Sequence, residues 1–193
     1  MTMRLANSEL ILGGQKSGKS RRAELLARQW LDAAPDHQAV LIATAQPWDD
    51  EMRQRIARHQ ADRAERVPGM RTVEEPIALA EAIRHHSSPR TLVVVDCLTL
   101  WLTNLLMPAD PESNMPLAPA ASARIASLLI AIQEAPGPVV LVGNEIGLGV
   151  IPMGREVRAF VDALGKLNQD VAATCQRVTL MAAGLPLTLK DAA

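Results

Sequence analysis

Residues 13–20 read Gly13-Gly14-Gln15-Lys16-Ser17-Gly18-Lys19-Ser20, and this run decides the fold. It fills the G-x-x-x-x-G-K-[ST] pattern completely. In that pattern backbone N–H groups and a helix N-terminus form a cradle for polyphosphate. The lysine, here Lys19, reaches the β/γ-phosphates, and the hydroxyl, here Ser20, binds Mg²⁺. The flanks agree with this reading. Ser8 to Leu12 can form a short buried strand, and Ala23, Leu26, Ala27, Trp30 and Leu31 recur at i, i+3, i+4, i+7 and i+8, one apolar face of a helix. Strand, glycine loop and helix thus follow in the order a nucleotide-phosphate site requires.

Working outward, apolar runs alternate with helical patterns along the chain. Strands are expected at 39–43, 71–73, 91–95, 139–142, 178–182 and 187–189. Helices are expected from near Pro76, over 101–106, over 122–134 and over 155–175. The 91–95 run (Thr-Leu-Val-Val-Val) lacks polar alternation, which predicts burial on both faces. Pro108, Pro111, Pro116 and Pro119 mark 107–120 as a break, and Gly184-Leu185-Pro186 marks a turn before the last strand. The pattern is that of an α/β P-loop NTPase. It predicts a mainly parallel sheet with helices on both faces and one antiparallel edge strand. One domain over 1–193 is expected, since the length suits a single core.

Composition narrows the function. With 20 basic and 21 acidic residues the net charge is −1, so no bulk charge draws the chain to nucleic acid or a membrane surface. No apolar stretch reaches spanning length and no signal-peptide layout opens the chain, so a cytoplasmic location is expected. Cys97 and Cys175 are the only cysteines, too few for a disulfide framework or a zinc site. Three Trp, one Phe and no Tyr leave hydrogen bonds and aliphatic contacts to hold a base.

In open α/β sheets, ligands bind at the carboxyl ends of the strands. Beyond the glycine loop, the polar residues at such positions are Thr44 and Gln46, Glu74 and Glu75, Asp96, and Asn144 with Glu145. Asp96 follows a buried strand, the place of an acidic Mg²⁺ partner; the competing role is a helix cap. Gly147-x-Gly149 is no dinucleotide fingerprint, because Pro152 takes the third glycine's place. Glu145 either faces the ligand or sits in an ordinary connection. Residues 49–66 stand apart: ten of these eighteen are Asp, Glu or Arg, and Met52 and Ile56 give only a thin apolar stripe. A helix so polar projects into solvent or bridges to a neighbour. His59 shares that stripe, either as a surface residue or as a nucleophile or acid/base near a nucleotide. His37, His85 and His86 fall in polar connecting stretches.

Several runs together resemble the bifunctional adenosylcobinamide kinase / adenosylcobinamide-phosphate guanylyltransferase family of cobalamin biosynthesis. They are 13–21, 42–46, Asp49-Asp50-Glu51-Met52, Arg55-Ile56-Ala57-Arg58-His59, 71–74, 95–104, Asn144 to Pro152 and 158–169. The resemblance implies a RecA-like sheet and two reactions. In the first, ATP or GTP phosphorylates adenosylcobinamide. In the second, GMP passes from GTP to that phosphate through a GMP-histidine intermediate, giving adenosyl-GDP-cobinamide and pyrophosphate. His59 matches the family's histidine. The implied GTP-binding positions are the 13–20 loop, Thr44-Ala45-Gln46, Gln60-Ala61-Asp62-Arg63, Glu74 and Asp96, and a homotrimer is implied. Arg58 departs from the second histidine of many relatives, and Pro68-Gly69 lengthens the 63–71 stretch. The plain rivals are a simple P-loop small-molecule kinase and a nucleotide-gated switch. The sequence lacks the switch's Asn/Thr-Lys-x-Asp guanine-reading run.

Overall fold

The computed structural model describes residues 5–47, 49–107, 117–150 and 152–192, with the side chains of Arg55, His59 and 117–119 outside the described set. The elements run β1 (Ser8–Gly13), α1 (Lys19–Ala33), β2 (Gln38–Ala43), α2 (Asp50–Arg66), β3 (Met70–Glu74), α3 (Leu79–His86), β4 (Thr91–Asp96), α4 (Leu98–Leu106), α5 (Leu117–Glu134), β5 (Val139–Val142), α6 (Arg155–Thr174), β6 (Arg177–Ala182) and β7 (Leu185–Asp191). The strands form a seven-stranded sheet in the order β3-β2-β4-β5-β1-β6-β7. All neighbours pair in parallel except β6 and β7. The α/β sheet with its antiparallel edge strand is the one the periodicity predicts.

Period-two alternation sorts each central strand between two cores. Leu10, Leu12, Val93, Val95, Val139 and Leu141 pack on one face under α3, α4, α5 and α6. Ile11, Leu92, Val94, Val140 and Val142 face the other way, against Ala23, Leu26 and Ala27 of α1. Strands buried on both sides tolerate no polar alternation, which is why 91–95 reads as a continuous apolar run.

The boundaries move where side chains intervene. The helix expected from Pro76 starts at Leu79, because Glu75 Oε1 accepts from the N–H groups of Ile77 (3.0 Å) and Ala78 (2.7 Å) and holds a turn first. The helix expected from Ser122 starts at Leu117 and takes in Pro119, whose first-turn position needs no amide hydrogen. Most of the proline-rich break, 108–116, lies outside the described residues. The last turn is Ala183-Gly184, so Leu185 and Pro186 already belong to β7. The helix expected over 155–175 ends at Thr174 with Cys175 as its cap. Its apolar stripe is buried from Leu164 onward, but Val157 near its start is exposed.

Candidate active site

The glycine loop leaves β1 at the carboxyl edge of the sheet and enters α1. Gly13 has φ +152°, and a Cβ there would lie 2.5 Å from the carbonyl oxygen of Met181 in β6, so no other residue fits. Gly18 caps α1 in the left-handed region at φ +101°, a conformation that glycine adopts without strain. Lys19 is buried, and its Nζ donates to the Gly14 carbonyl at 2.6 Å, closing the loop on itself. The Ser17 carbonyl accepts from Gly184 N at 3.0 Å, so the β6–β7 turn braces the loop from the side. Gln15 and Lys16 are exposed at its crest, and Ser20 is half-buried at the start of α1.

Asp96 ends β4, half-buried. A hydroxyl and a carboxylate are hard oxygen donors of the kind Mg²⁺ takes, a few at a time, alongside substrate phosphate. Ser20 and Asp96 therefore suit that ion. Among the described residues no group of three or more His, Cys, Asp or Glu could hold a metal by itself.

Thr44 is fully buried and its polar atoms are used internally. Its hydroxyl donates to the Cys97 carbonyl (2.7 Å) and accepts from Cys97 N (2.9 Å). Its N–H donates to Asp96 O at 3.1 Å, and its carbonyl accepts from Asn104 Nδ2 at 2.8 Å. Thr44 thus sets the end of β2 against Asp96, while Ala45 and Gln46 lie beyond it, half-buried. Burial, then the charge of Asp96, pushes the Cys97 thiol up to about 12; it is no nucleophile.

Helix α2 packs as thinly as its charge predicts, with Met52 and Ile56 only half-buried. Asp49 caps it, accepting from Met52 N at 2.7 Å. A cavity of about 190 Å³ opens between this helix and the ends of β2 and β3, lined by Ala45, Pro47, Arg53, Ile56, Ala57, Gln60 and Glu74. Gln60 Nε2 approaches Glu74 Oε1 at 3.4 Å across it. The cavity brings together three of the residues expected at the nucleotide. Two others turn elsewhere: buried Arg63 donates to Thr72 Oγ1 at 3.2 Å, and Asp62 pairs with Arg66 at 3.2 Å. Ala61 is exposed. His59 lies on α2 immediately before Gln60, with its side chain outside the described set.

The other histidines occupy the opposite end of the sheet. His37 precedes β2 and stacks on Trp30 at 3.7 Å. His85 and His86 end α3, before β4 begins, with rings edge to face at 4.7 Å. His86 Nδ1 accepts from Arg71 at 3.2 Å. Burial first, then Arg71 and His85, lowers its pKa.

One constellation at the loop escapes sequence reasoning. Glu9, inside β1 and fully buried, accepts from Arg22 Nε (3.1 Å) and Nη2 (3.0 Å) on α1 and from Thr179 Oγ1 (2.8 Å) on β6. Arg177 Nη1 stands 3.9 Å from its second oxygen. A lone Glu in an apolar strand was the available signal, but nothing in the sequence names its partners.

Residues 9–189 match the sequence model of a family described as cobinamide kinase / cobinamide phosphate guanyltransferase. The chain is 47% identical over 182 residues to the bifunctional adenosylcobalamin biosynthesis protein CobP of Pseudomonas aeruginosa, covering 94% of this chain and 96% of that one. It is 38% identical over 187 residues to the bifunctional adenosylcobalamin biosynthesis protein CobU of Escherichia coli, covering 94% and 98%. Among solved structures it is similar to an ATPase domain (TM-score 0.55, 14% identity, 97% of this chain and 78% of that one). It is also similar to the flagellar accessory protein FlaH from Methanocaldococcus jannaschii (TM-score 0.52, 10% identity, 97% and 80%). The two structures support the RecA-like fold alone.

Proposed function

The chain belongs to the cobinamide kinase / cobinamide phosphate guanyltransferase family, and from that premise we propose how its residues share the two reactions. In the kinase step the 13–20 loop cradles the phosphates of ATP or GTP. Lys19 neutralises charge on the transferring group, and Ser20 and Asp96 would hold Mg²⁺, which would offset charge on the phosphate oxygens. The acceptor is the hydroxyl on the aminopropanol arm of adenosylcobinamide.

In the second step an imidazole nitrogen of His59 attacks the α-phosphorus of GTP. The bond to the bridging oxygen breaks and pyrophosphate leaves. The phosphate of adenosylcobinamide phosphate then displaces the histidine, and adenosyl-GDP-cobinamide forms. Splitting one displacement into two lets a single site orient each partner in turn. Ala45, Gln46, Gln60 and Glu74 serve the guanosine end, and Thr44 positions Asp96 beside them.

The observation that carries this reading is the cavity of about 190 Å³ joining Ala45, Gln60 and Glu74. Its lining mixes the polar Arg53, Gln60 and Glu74 with aliphatic Ala45, Pro47, Ile56 and Ala57, and Gln60 is next in sequence to His59; such a lining suits a base held without aromatic stacking. His37, His85 and His86 stand at the far end of the sheet. The family's homotrimer and a cytoplasmic location complete the proposal. Exposed Leu185, Leu187 and Leu189 on the edge strand favour assembly, and no helix among the described residues is long and apolar enough to cross a membrane.

Incubation with Mg²⁺ and α-labelled GTP tests it. The protein should gain one base-stable, acid-labile label and release pyrophosphate. His59→Asn should abolish the label and guanylyl transfer while largely sparing phosphorylation of adenosylcobinamide. A label retained in His59→Asn would move the nucleophile elsewhere, and no label in the unmodified protein would reduce it to a plain kinase.

A further inference from the structure

A kinase site needs a group to take the proton of the attacking hydroxyl, and the residues assigned so far supply none. The end of β5 offers one. β5 lies between β1, which carries the glycine loop, and β4, which ends in Asp96. Beyond it, Glu145 N donates to the Gly13 carbonyl at 3.1 Å, while Lys19 Nζ sits on the next carbonyl, Gly14, at 2.6 Å. The main chain of Glu145 is thus fastened one residue from the carbonyl that holds the phosphate-binding lysine.

Its carboxylate is held too. Oε1 accepts from Gly147 N at 3.0 Å, and Asn168 Nδ2 approaches Oε2 at 3.5 Å. Asn168, buried on α6, also donates to the Asn144 carbonyl at 3.0 Å, and Asn144 N donates to Thr99 Oγ1 at 2.9 Å on α4. Both donors to the carboxylate are neutral amides, so they orient it without pairing it to an opposite charge. Ordering a half-buried carboxylate between its own loop and α6 costs side-chain entropy, which a functional position would justify.

The loop that Glu145 opens has a second feature that the fold does not use. Ile146, Leu148, Val150 and Met153 are exposed, Leu148 by 80% and Val150 by 97%. Arg158 Nη1 donates to the Pro152 carbonyl at 3.0 Å and fixes the far end. A cluster of exposed aliphatic side chains beside a catalytic loop marks a ligand surface. The acceptor established by the family is a corrinoid, a broad alkyl-rich macrocycle whose hydroxyl hangs on a short arm. That ligand has the right chemistry for both features at once.

We propose that Glu145 is the proton acceptor of the kinase step, and that the apolar loop following it carries the corrinoid. The proposal rests on the kinase reading of the 13–20 loop. As the acceptor oxygen bonds to the γ-phosphorus, its proton passes to a Glu145 oxygen. The bond from the γ-phosphorus to the β–γ bridging oxygen breaks, and its electron pair leaves with the nucleoside diphosphate. Half-buried Glu145 then returns the proton to solvent.

Glu145→Gln keeps the shape and an oxygen for Gly147 N. Phosphorylation of cobinamide should lose about 10²–10³ in kcat, the range for a general base. KM for the nucleotide should stay within about twofold, since only a transition-state contact is lost. GMP labelling by GTP should remain complete, as should guanylyl transfer to pre-phosphorylated cobinamide. Val150→Asp should raise KM for cobinamide about tenfold with nucleotide KM unchanged. Unchanged kinase kcat in Glu145→Gln, or a parallel fall in labelling and nucleotide affinity, would overturn the catalytic role. An unchanged corrinoid KM in Val150→Asp would overturn the docking. An unmodified protein that labels with GMP but never phosphorylates cobinamide would remove the kinase reading itself.

Discussion

Glu9 and Arg22 are thirteen positions apart and sit on the two sides of the glycine loop, one in the strand that feeds it and one in the helix that leaves it. Two N–H groups of Arg22 converge on Glu9 Oε1, at 3.1 and 3.0 Å, and tie the strand before the loop to the helix after it. Neither charge is accessible, so deleting the Arg22 guanidinium leaves the buried Glu9 with the Thr179 hydroxyl and the more distant Arg177. Arg22→Ala should therefore cost about 3–5 kcal/mol, read as a lowered urea midpoint at constant m-value. The contrast with Lys19 shows what the sequence can reveal at this scale. Lys19 and Ser20 stand out because the loop's spacing points them to phosphate and metal, and Asp96 because it follows a buried strand. Glu9 is legible only as a strand residue, because its partners Arg22, Thr179 and Arg177 belong to elements that only the folded sheet brings together. Thr44 shows a subtler gap. Its place after β2 could be read in advance, but not that its hydroxyl is spent on Cys97, since backbone partners leave no mark in side-chain pattern.

At the scale of elements, periodicity revealed every strand and helix but misplaced several ends. The reason is consistent: the apolar stripe marks where an element packs, whereas side-chain caps and turns set where it starts. Glu75 delays α3, and the Ala183-Gly184 turn lengthens β7. The cysteines illustrate such junctions. Cys97 joins β4 to α4, and Cys175 caps α6. Burial pushes both thiols from 9.0 up to about 12, aided at Cys97 by the charge of Asp96. A raised folded value means that the unfolded chain releases these protons first. The stability held in the buried thiols is thus complete below about pH 9 and is lost as pH rises towards 12. Urea midpoints should fall over that window, and less steeply in Cys97→Ala. Native protein near neutral pH should resist iodoacetamide at both sites until denaturant is added.

Across the whole molecule the sheet has two dissimilar edges. β3 is flanked by the polar helix α2, while β7 shows Leu185, Leu187 and Leu189 on one exposed face. A bare apolar edge strand invites pairing with another chain. Replacing Leu187 and Leu189 together by lysine should convert the expected trimer to smaller species in light scattering, with the monomer's GMP labelling retained if α2 serves its own subunit. The opposite outcome, loss of labelling with the assembly, would place a neighbour's residues at the cavity. The position of β1 has a different bearing, on the time at which the enzyme becomes competent. It is made before both its neighbours, β5 and β6, which come from beyond residue 138, and before the turn that braces the loop, Ala183-Gly184. On the ribosome the phosphate-binding residues remain without a framework until residues 139–184 have followed. The nascent enzyme therefore has no nucleotide to steady it during synthesis. Ligand can reinforce the fold only after the β6–β7 hairpin has closed beside β1.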